Sequence, residues 1–128
     1  MILDSSAIVA ILLEEPGFEE LLAKADVADS VLIGAPTLLE TKIALSRKPT
    51  GDAGSRLTDF LERGQVQLVP FSADHLRVAF GAFEHFGKGR HPAKLNFGDC
   101  MSYAIARVAG EALLYTGDDF SKTDIEAA

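Results

Sequence analysis

The stretch Met1-Ile2-Leu3-Asp4-Ser5-Ser6-Ala7 carries the reading of the fold. Three apolar residues, one acid and two small hydroxyl residues describe a short buried strand that ends at Asp4 and turns straight into a helix over 5–13. Asp4 or Ser5 caps that helix. Related strand-then-helix steps follow downstream. Val31-Leu32-Ile33 is a second buried strand, with a helix from about Leu38 to Arg47 that stops before Pro49. Val66 to Val69 is a third, followed by a helix over 73–86 with Leu76, Ala79, Phe80 and Phe83 on one stripe. Ala112-Leu113-Leu114-Tyr115-Thr116 is a fourth. Between these lie helices over 17–26 (Phe18, Leu21, Leu22 and Ala25 inward), 52–63 (Leu57, Phe60 and Leu61 inward) and 98–109 (Met101, Ala104, Ile105 and Val108 inward). A short fifth strand falls near Asp124 to Glu126.

Short, continuous apolar strands separated by helices imply an α/β fold whose mostly parallel sheet, of four to five strands, is covered on both faces. Breakers such as Pro16-Gly17, Pro49-Thr50-Gly51 and Gly87 to Pro92 recur at short intervals, as in one compact domain over 1–128. In such a sheet the strands end and the following helices begin along one edge, where ligands bind.

The chain has 128 residues, 48% of them apolar and 24% charged, an ordinary globular balance that argues against disorder. Cys100 is the only cysteine, which excludes an intramolecular disulfide. No basic leader and no apolar run of ~20 residues is present, so a cytoplasmic protein is expected, with no membrane partner. The net charge of −7 argues against coating nucleic acid by bulk attraction. It leaves room for a nuclease, because a metal-binding acidic cluster itself makes the charge more negative.

Four acids fall on the expected edge: Asp4 after strand one, Glu40 in the first turn of the helix after strand two, Asp99 in the first turn after Asn96-Phe97-Gly98, and Asp118 after strand four. Each taken alone also fits a cap. Thr37 to Glu40 matches a capping box, Asn96 with Asp99 has the same offset, Asp4 fits an N-cap, and Asp118-Asp119 fits a turn. As a set they imply more. Two unit charges 4 Å apart repel by about 4 kcal/mol at an effective dielectric of 20, and capping requires no convergence. A divalent cation turns that repulsion into binding. Hard oxygen donors with no His or Cys pair suit Mg²⁺, with Mn²⁺ as a substitute, and the chemistry implied is phosphodiester hydrolysis.

The flanks of these acids add a resemblance. The opening segment, Ala35-Pro36-Thr37-Leu38-Leu39-Glu40, Leu95-Asn96-Phe97-Gly98-Asp99-Cys100 with Tyr103 and Ala104, Leu113 to Phe120, and Lys122-Thr123-Asp124-Ile125 together resemble PIN-domain proteins, above all VapC-type toxins of bacterial toxin–antitoxin pairs. The resemblance spans the whole chain. It implies a three-layer αβα fold, Mg²⁺-dependent endoribonuclease activity on an RNA substrate, neutralisation by a cognate VapB-type antitoxin, and a homodimer. It further implies that Asp4 and Asp99 are the central metal ligands, with Glu40 and the acid after the last core strand completing the catalytic set. Gly117-Asp118-Asp119 offers two residues for that last place. Asp118 is nearer the strand end and is preferred; Asp119 is the alternative.

Ser5 and Ser6 are expected either to orient a carboxylate or a metal-bound water or to cap the helix, and Asn96 to cap or to position substrate or Asp99. Lys88, Arg90, His91 and Lys94 form the best local basic patch, for RNA phosphates or as a solvated loop. Cys100 reads as a small buried residue, His75 and His85 as surface or packing residues without ligand spacing, and Glu14, Glu15, Glu19 and Glu20 as a solvated face. The stripe Phe80, Phe83, Phe86 reads as core with a share at an interface. A haloacid-dehalogenase phosphatase would need an acid at position 6, where Ser6 stands. A phospho-receiver would need an acid after strand three, where Pro70-Phe71-Ser72 stands. The remaining alternative is a catalytically silent scaffold of the same fold that binds partners only.

Overall fold

The computed structural model describes residues 1–49 and 51–128; Thr50, in the break expected at Pro49 to Gly51, lies outside the described residues. Four parallel strands form the sheet: β1 (Ile2–Leu3), β2 (Leu32–Gly34), β3 (Gln67–Val69) and β4 (Leu113–Leu114), in the order β3-β2-β1-β4. In register, Ile2 faces Leu32 and Leu113, while Leu3 faces Ile33 and Leu114. Successive residues of a strand point to opposite faces. Ile2 and Leu113 accordingly join one core and Leu3, Ile33 and Leu114 the other.

Helices α1 (Ser5–Leu12), α2 (Phe18–Asp26), α3 (Ala35–Ser46), α4 (Ala53–Arg63), α5 (Ala73–Phe86) and α6 (Phe97–Ala109) flank this sheet. The first core takes Ala79 and Ala82 of α5 and Tyr103 to Ala106 of α6. The second takes Ala7, Ile8 and Leu12 of α1, Leu45 of α3, and Ala53 and Leu57 of α4. The result is the expected αβα sandwich, with the strand ends and helix starts of β1/α1 and β2/α3 on one edge.

Four local expectations are corrected. The fifth strand reduces to a single bridge between Leu113 and Ala127, because the tail crosses β4 only at that point. Helix α3 starts at Ala35, earlier than expected, because Pro36 fits the first helical turn, where a missing N–H costs nothing. Thr37 therefore lies inside the helix and is not its cap, and Glu40 sits beyond the first turn. Strand β3 is an edge strand with Gln67 and Leu68 exposed, rather than a strand buried on both faces. On α5 the buried residues are His75, Ala79 and Ala82, whereas Leu76 is 63% and Phe80 60% exposed. The helix turns Ala79 and Ala82 to the core, packs Phe83 and Phe86 partly against it, and leaves Leu76 and Phe80 outside.

Candidate metal centre

Asp4 follows β1 and caps α1. Its backbone N–H donates to Leu114 O at 2.9 Å, and its carboxylate is buried, so the residue is fixed at the sheet edge. Asp4 Oδ2 accepts from Ser6 N at 3.0 Å and from Ser6 Oγ at 2.5 Å. Ser6 Oγ in turn accepts from Thr116 N at 3.1 Å. One hydroxyl thus couples the first acid to the chain leaving β4, which leads to Asp118 and Asp119.

Glu40, half-buried on α3, accepts a hydrogen bond at Oε1 from Ser5 Oγ. Its other oxygen lies against the start of α6. A Cβ added to Gly98 would stand 2.8 Å from Glu40 Cδ and still closer to Oε2. Only glycine leaves that space open. Gly34, at the end of β2, is placed alike: a Cβ there would meet Ile105 Cγ1 at 2.8 Å. Helices α3 and α6 approach closely because these two residues lack side chains.

Asp99 opens α6 in the capping box expected of it. Asp99 N donates to Asn96 Oδ1 and Asn96 N to Asp99 Oδ2, each at 2.9 Å. Burial, the largest cause, pushes the Asp99 carboxyl up to about 6; the Asn96 N–H pulls it down, and the charges of Asp4, Asp119 and Glu40 raise it further. These four acids, scattered between positions 4 and 119, share one electrostatic neighbourhood. Asp118 is not among the charges acting on Asp99. It is exposed, and its backbone carbonyl accepts from Ser121 Oγ at 2.7 Å. Asp119, also exposed, leads into the short 3₁₀ turn Phe120–Lys122.

Among the described residues, no three acidic, His or Cys side chains already stand around one metal-sized point. The donor set nevertheless fits a hard cation. Mg²⁺ typically takes one or two carboxylates, keeps several waters and completes its shell from a phosphate, so a ready-made protein cage is not what it requires. The acids are all oxygen donors, and the absence of a side chain on Gly98 lets the Glu40 carboxylate lie against the start of α6. Burial also pushes the neighbouring Cys100 thiol up to about 11, with the Asp99 charge adding to the shift.

The basic segment before Asp99 is more ordered than a solvated loop. Lys88 N donates to Leu95 O at 3.0 Å and Leu95 N to Phe86 O at 2.9 Å, closing its base. Arg90 lies over the Phe83 ring at 5.3 Å and His91 packs edge-on against Phe86. Lys88, Arg90 and Lys94 are exposed, and none is in an ion pair among the described residues. His75 is not a surface residue: it is buried and closes a box with Ser72 at the start of α5. His85 is exposed.

Three contributors escaped the sequence reading: Gly98 as the gap beside Glu40, Thr37 as a buried residue of α3, and Ser102, whose hydroxyl is 3.1 Å from that of Thr37. A signal existed for Ser102 alone, a polar residue within the apolar run of α6.

Comparison with known proteins agrees with this arrangement. The PIN domain family model matches residues 1–126. Ribonuclease VapC of Mycolicibacterium smegmatis is 42% identical over 129 residues, covering 99% of this chain and 98% of that protein. Ribonuclease VapC30 of Mycobacterium tuberculosis is 39% identical over 125 residues, covering 98% and 95%. In fold, the chain superposes on the crystal structure of VapBC2 from Rickettsia felis with a TM-score of 0.77, at 16% identity, over 99% of this chain and 96% of that one. Among the described residues no helix is long and apolar enough to cross a membrane. With Asp4 at the end of the first strand of a parallel αβα sandwich and its sequence aligned almost end to end with such relatives, the chain belongs to the PIN-domain family, in its VapC branch.

Proposed function

We propose that this protein is a metal-dependent endoribonuclease of the toxin kind, with Asp4 and Asp99 as the central ligands of Mg²⁺, Glu40 beside them, and Asp119 rather than Asp118 as the fourth acid. The observation that carries the reading is that Ser5 and Gly98 seat the Glu40 carboxylate between the first residues of α1, where Ser6 holds Asp4, and the start of α6, where Asp99 stands. Mutual repulsion among neighbouring carboxylates is relieved by a divalent cation. When bound, Mg²⁺ supplies activation of a water and neutralisation of charge on the phosphate.

The chain's own groups do the rest. Ser6 holds one oxygen of Asp4, leaving the other for the ion, and Ser5 fixes Glu40. Asn96 orients Asp99 through the capping box. Lys88, Arg90 and Lys94, on the segment leading into Asn96, are placed to bind phosphates of the RNA strand, which positions substrate without reading its sequence.

A VapB-type antitoxin and a homodimer belong to the same reading. The named VapBC assembly among the structural neighbours supports the first. The exposed Leu76, Phe80 and Phe97, beside a 460 Å³ apolar groove between α5 and α6, support an apolar contact face. The test is cleavage of total RNA by purified protein with Mg²⁺ and with chelator. We expect cleavage only with metal, and its loss in Asp4→Asn and Asp99→Asn while both variants keep their fold. Undiminished cleavage in both would sink the mechanism.

A further inference from the structure

Thr37 and Ser102 are 3% and 1% exposed, and their hydroxyls lie 3.1 Å apart, joining α3 to α6 across 65 residues of sequence. Thr37 stands one turn before Glu40, and Ser102 one turn after Asp99. Among the described residues neither hydroxyl has another hydrogen-bonding side chain, whereas the neighbouring buried Thr41 donates to Thr37 O at 2.8 Å, within its own helix. The pair sits between the two glycine contacts, Gly34 with Ile105 and Gly98 with Glu40. A glycine contact limits how close two helices come but does not hold them there. A buried hydroxyl pair does, because separating it leaves two polar groups without water or partner.

We infer that the Thr37–Ser102 hydroxyl pair is a lock that sets the separation of α3 and α6 and thereby positions Glu40 against Asp99. The helix-to-helix part of this stands on geometry alone; its consequence for metal binding rests on the metal-site reading above. The pair touches neither substrate nor ion, so both residues are positioning residues.

The test compares wild type with Thr37→Val, Ser102→Ala and the double variant. Thr37→Val alone strands a buried hydroxyl and is expected to melt lowest. The double variant removes both partners together and is expected to melt within about 2 °C of wild type, since replacing both by apolar groups is nearly neutral. Ser102→Ala leaves the Thr37 hydroxyl without its partner and is likewise expected to melt below the double variant. Two readouts are taken on the metal-free and Mg²⁺-titrated proteins. The first is the distance distribution between spin labels at Lys42→Cys on α3 and Ala109→Cys on α6, with the buried Cys100 left unlabelled. The second is Mg²⁺ affinity by calorimetry. A broader distribution with Mg²⁺ affinity weakened about tenfold supports the lock. Thr37→Ser, which keeps the hydroxyl, is expected to restore both. An unchanged distribution in the double variant overturns the inference, as does a broader distribution with unchanged affinity. If wild type itself binds no Mg²⁺ while the variant distribution broadens, the metal-site reading has failed and the α3–α6 lock stands.

Discussion

Gly98 and Glu40 meet so closely that a single methyl group on Gly98 would stand 2.8 Å from the Glu40 carboxyl carbon. The acid is therefore held in place by the absence of a side chain on the neighbouring helix. Gly98→Ala is expected to displace the Glu40 carboxylate, the flexible end of its side chain, with little change in stability, and to reduce Mg²⁺-dependent cleavage at least tenfold. Thermal melting and initial cleavage rates measure the two effects. A wild-type cleavage rate would mean that the present position of the Glu40 carboxylate is not needed.

Ser6 makes two bonds with one hydroxyl, donating to Asp4 and accepting from Thr116 N. Ser6→Ala removes a charge-assisted bond and leaves the Thr116 N–H without its partner. The expected cost is about 1.5–3 kcal/mol of stability, with cleavage down by about 10–100-fold. Ser6→Thr keeps the hydroxyl and is expected to recover most of the activity. Denaturant melts and cleavage assays on both variants check this, and equal loss in the two would assign the effect to packing.

The raised Asp99 carboxyl has a signed pH consequence. Its folded value, about 6, lies above the ordinary Asp value of 3.8, so between the two the folded chain holds a proton that the unfolded chain has released. The fold is favoured by this below the ordinary value, and the benefit is lost as pH rises through about 6. At pH 7.5 the metal-free Asp99→Asn variant is expected to melt above wild type, by about 1 kcal/mol after allowing for solvent screening of a partly exposed group. Metal binding runs the other way, because the proton competes with the ion. Mg²⁺ affinity of wild type should fall as pH drops below about 6, and that slope should vanish in Asp99→Asn. Calorimetry and melting curves at pH 5 and pH 7.5 follow both.

Asp118 and Asp119 are separable by mutation. The Asp119 charge acts on Asp99 and that of Asp118 does not, so Asp119→Asn is expected to cut cleavage more than tenfold and Asp118→Asn less than threefold. Cleavage rates at saturating Mg²⁺ rank the two. The reverse ranking would return the role to the residue nearer the strand end.

The Asn96–Asp99 box was legible in the sequence because it is local: two side chains three residues apart satisfy each other's backbone. The same spacing at Thr37 to Glu40 looked equivalent and is not. Pro36 lets α3 begin at Ala35, which carries Thr37 into the helix and frees Glu40 to meet Ser5 and Gly98. The α5 stripe held for Ala79 and Phe83 and not for Leu76 and Phe80, for a related reason. Periodicity marks which residues share a face, and the neighbouring elements decide whether that face is covered; α6 packs against Ala79 and Ala82 and leaves Leu76 and Phe80 outside.

What the sequence determined by itself was the order of strands and helices and the parallel sheet covered on both faces. Those follow from apolar runs, helical periodicity and breakers, all read within a few residues of chain. Only the tertiary structure decided which partner these side chains meet: Ser6 for Asp4, Ser5 and Gly98 for Glu40, and Ser102 for Thr37. These pairings depend on how α1, α3 and α6 pack around one sheet edge. Helix approach is set by the shapes of side chains far apart in sequence, and no local pattern records it.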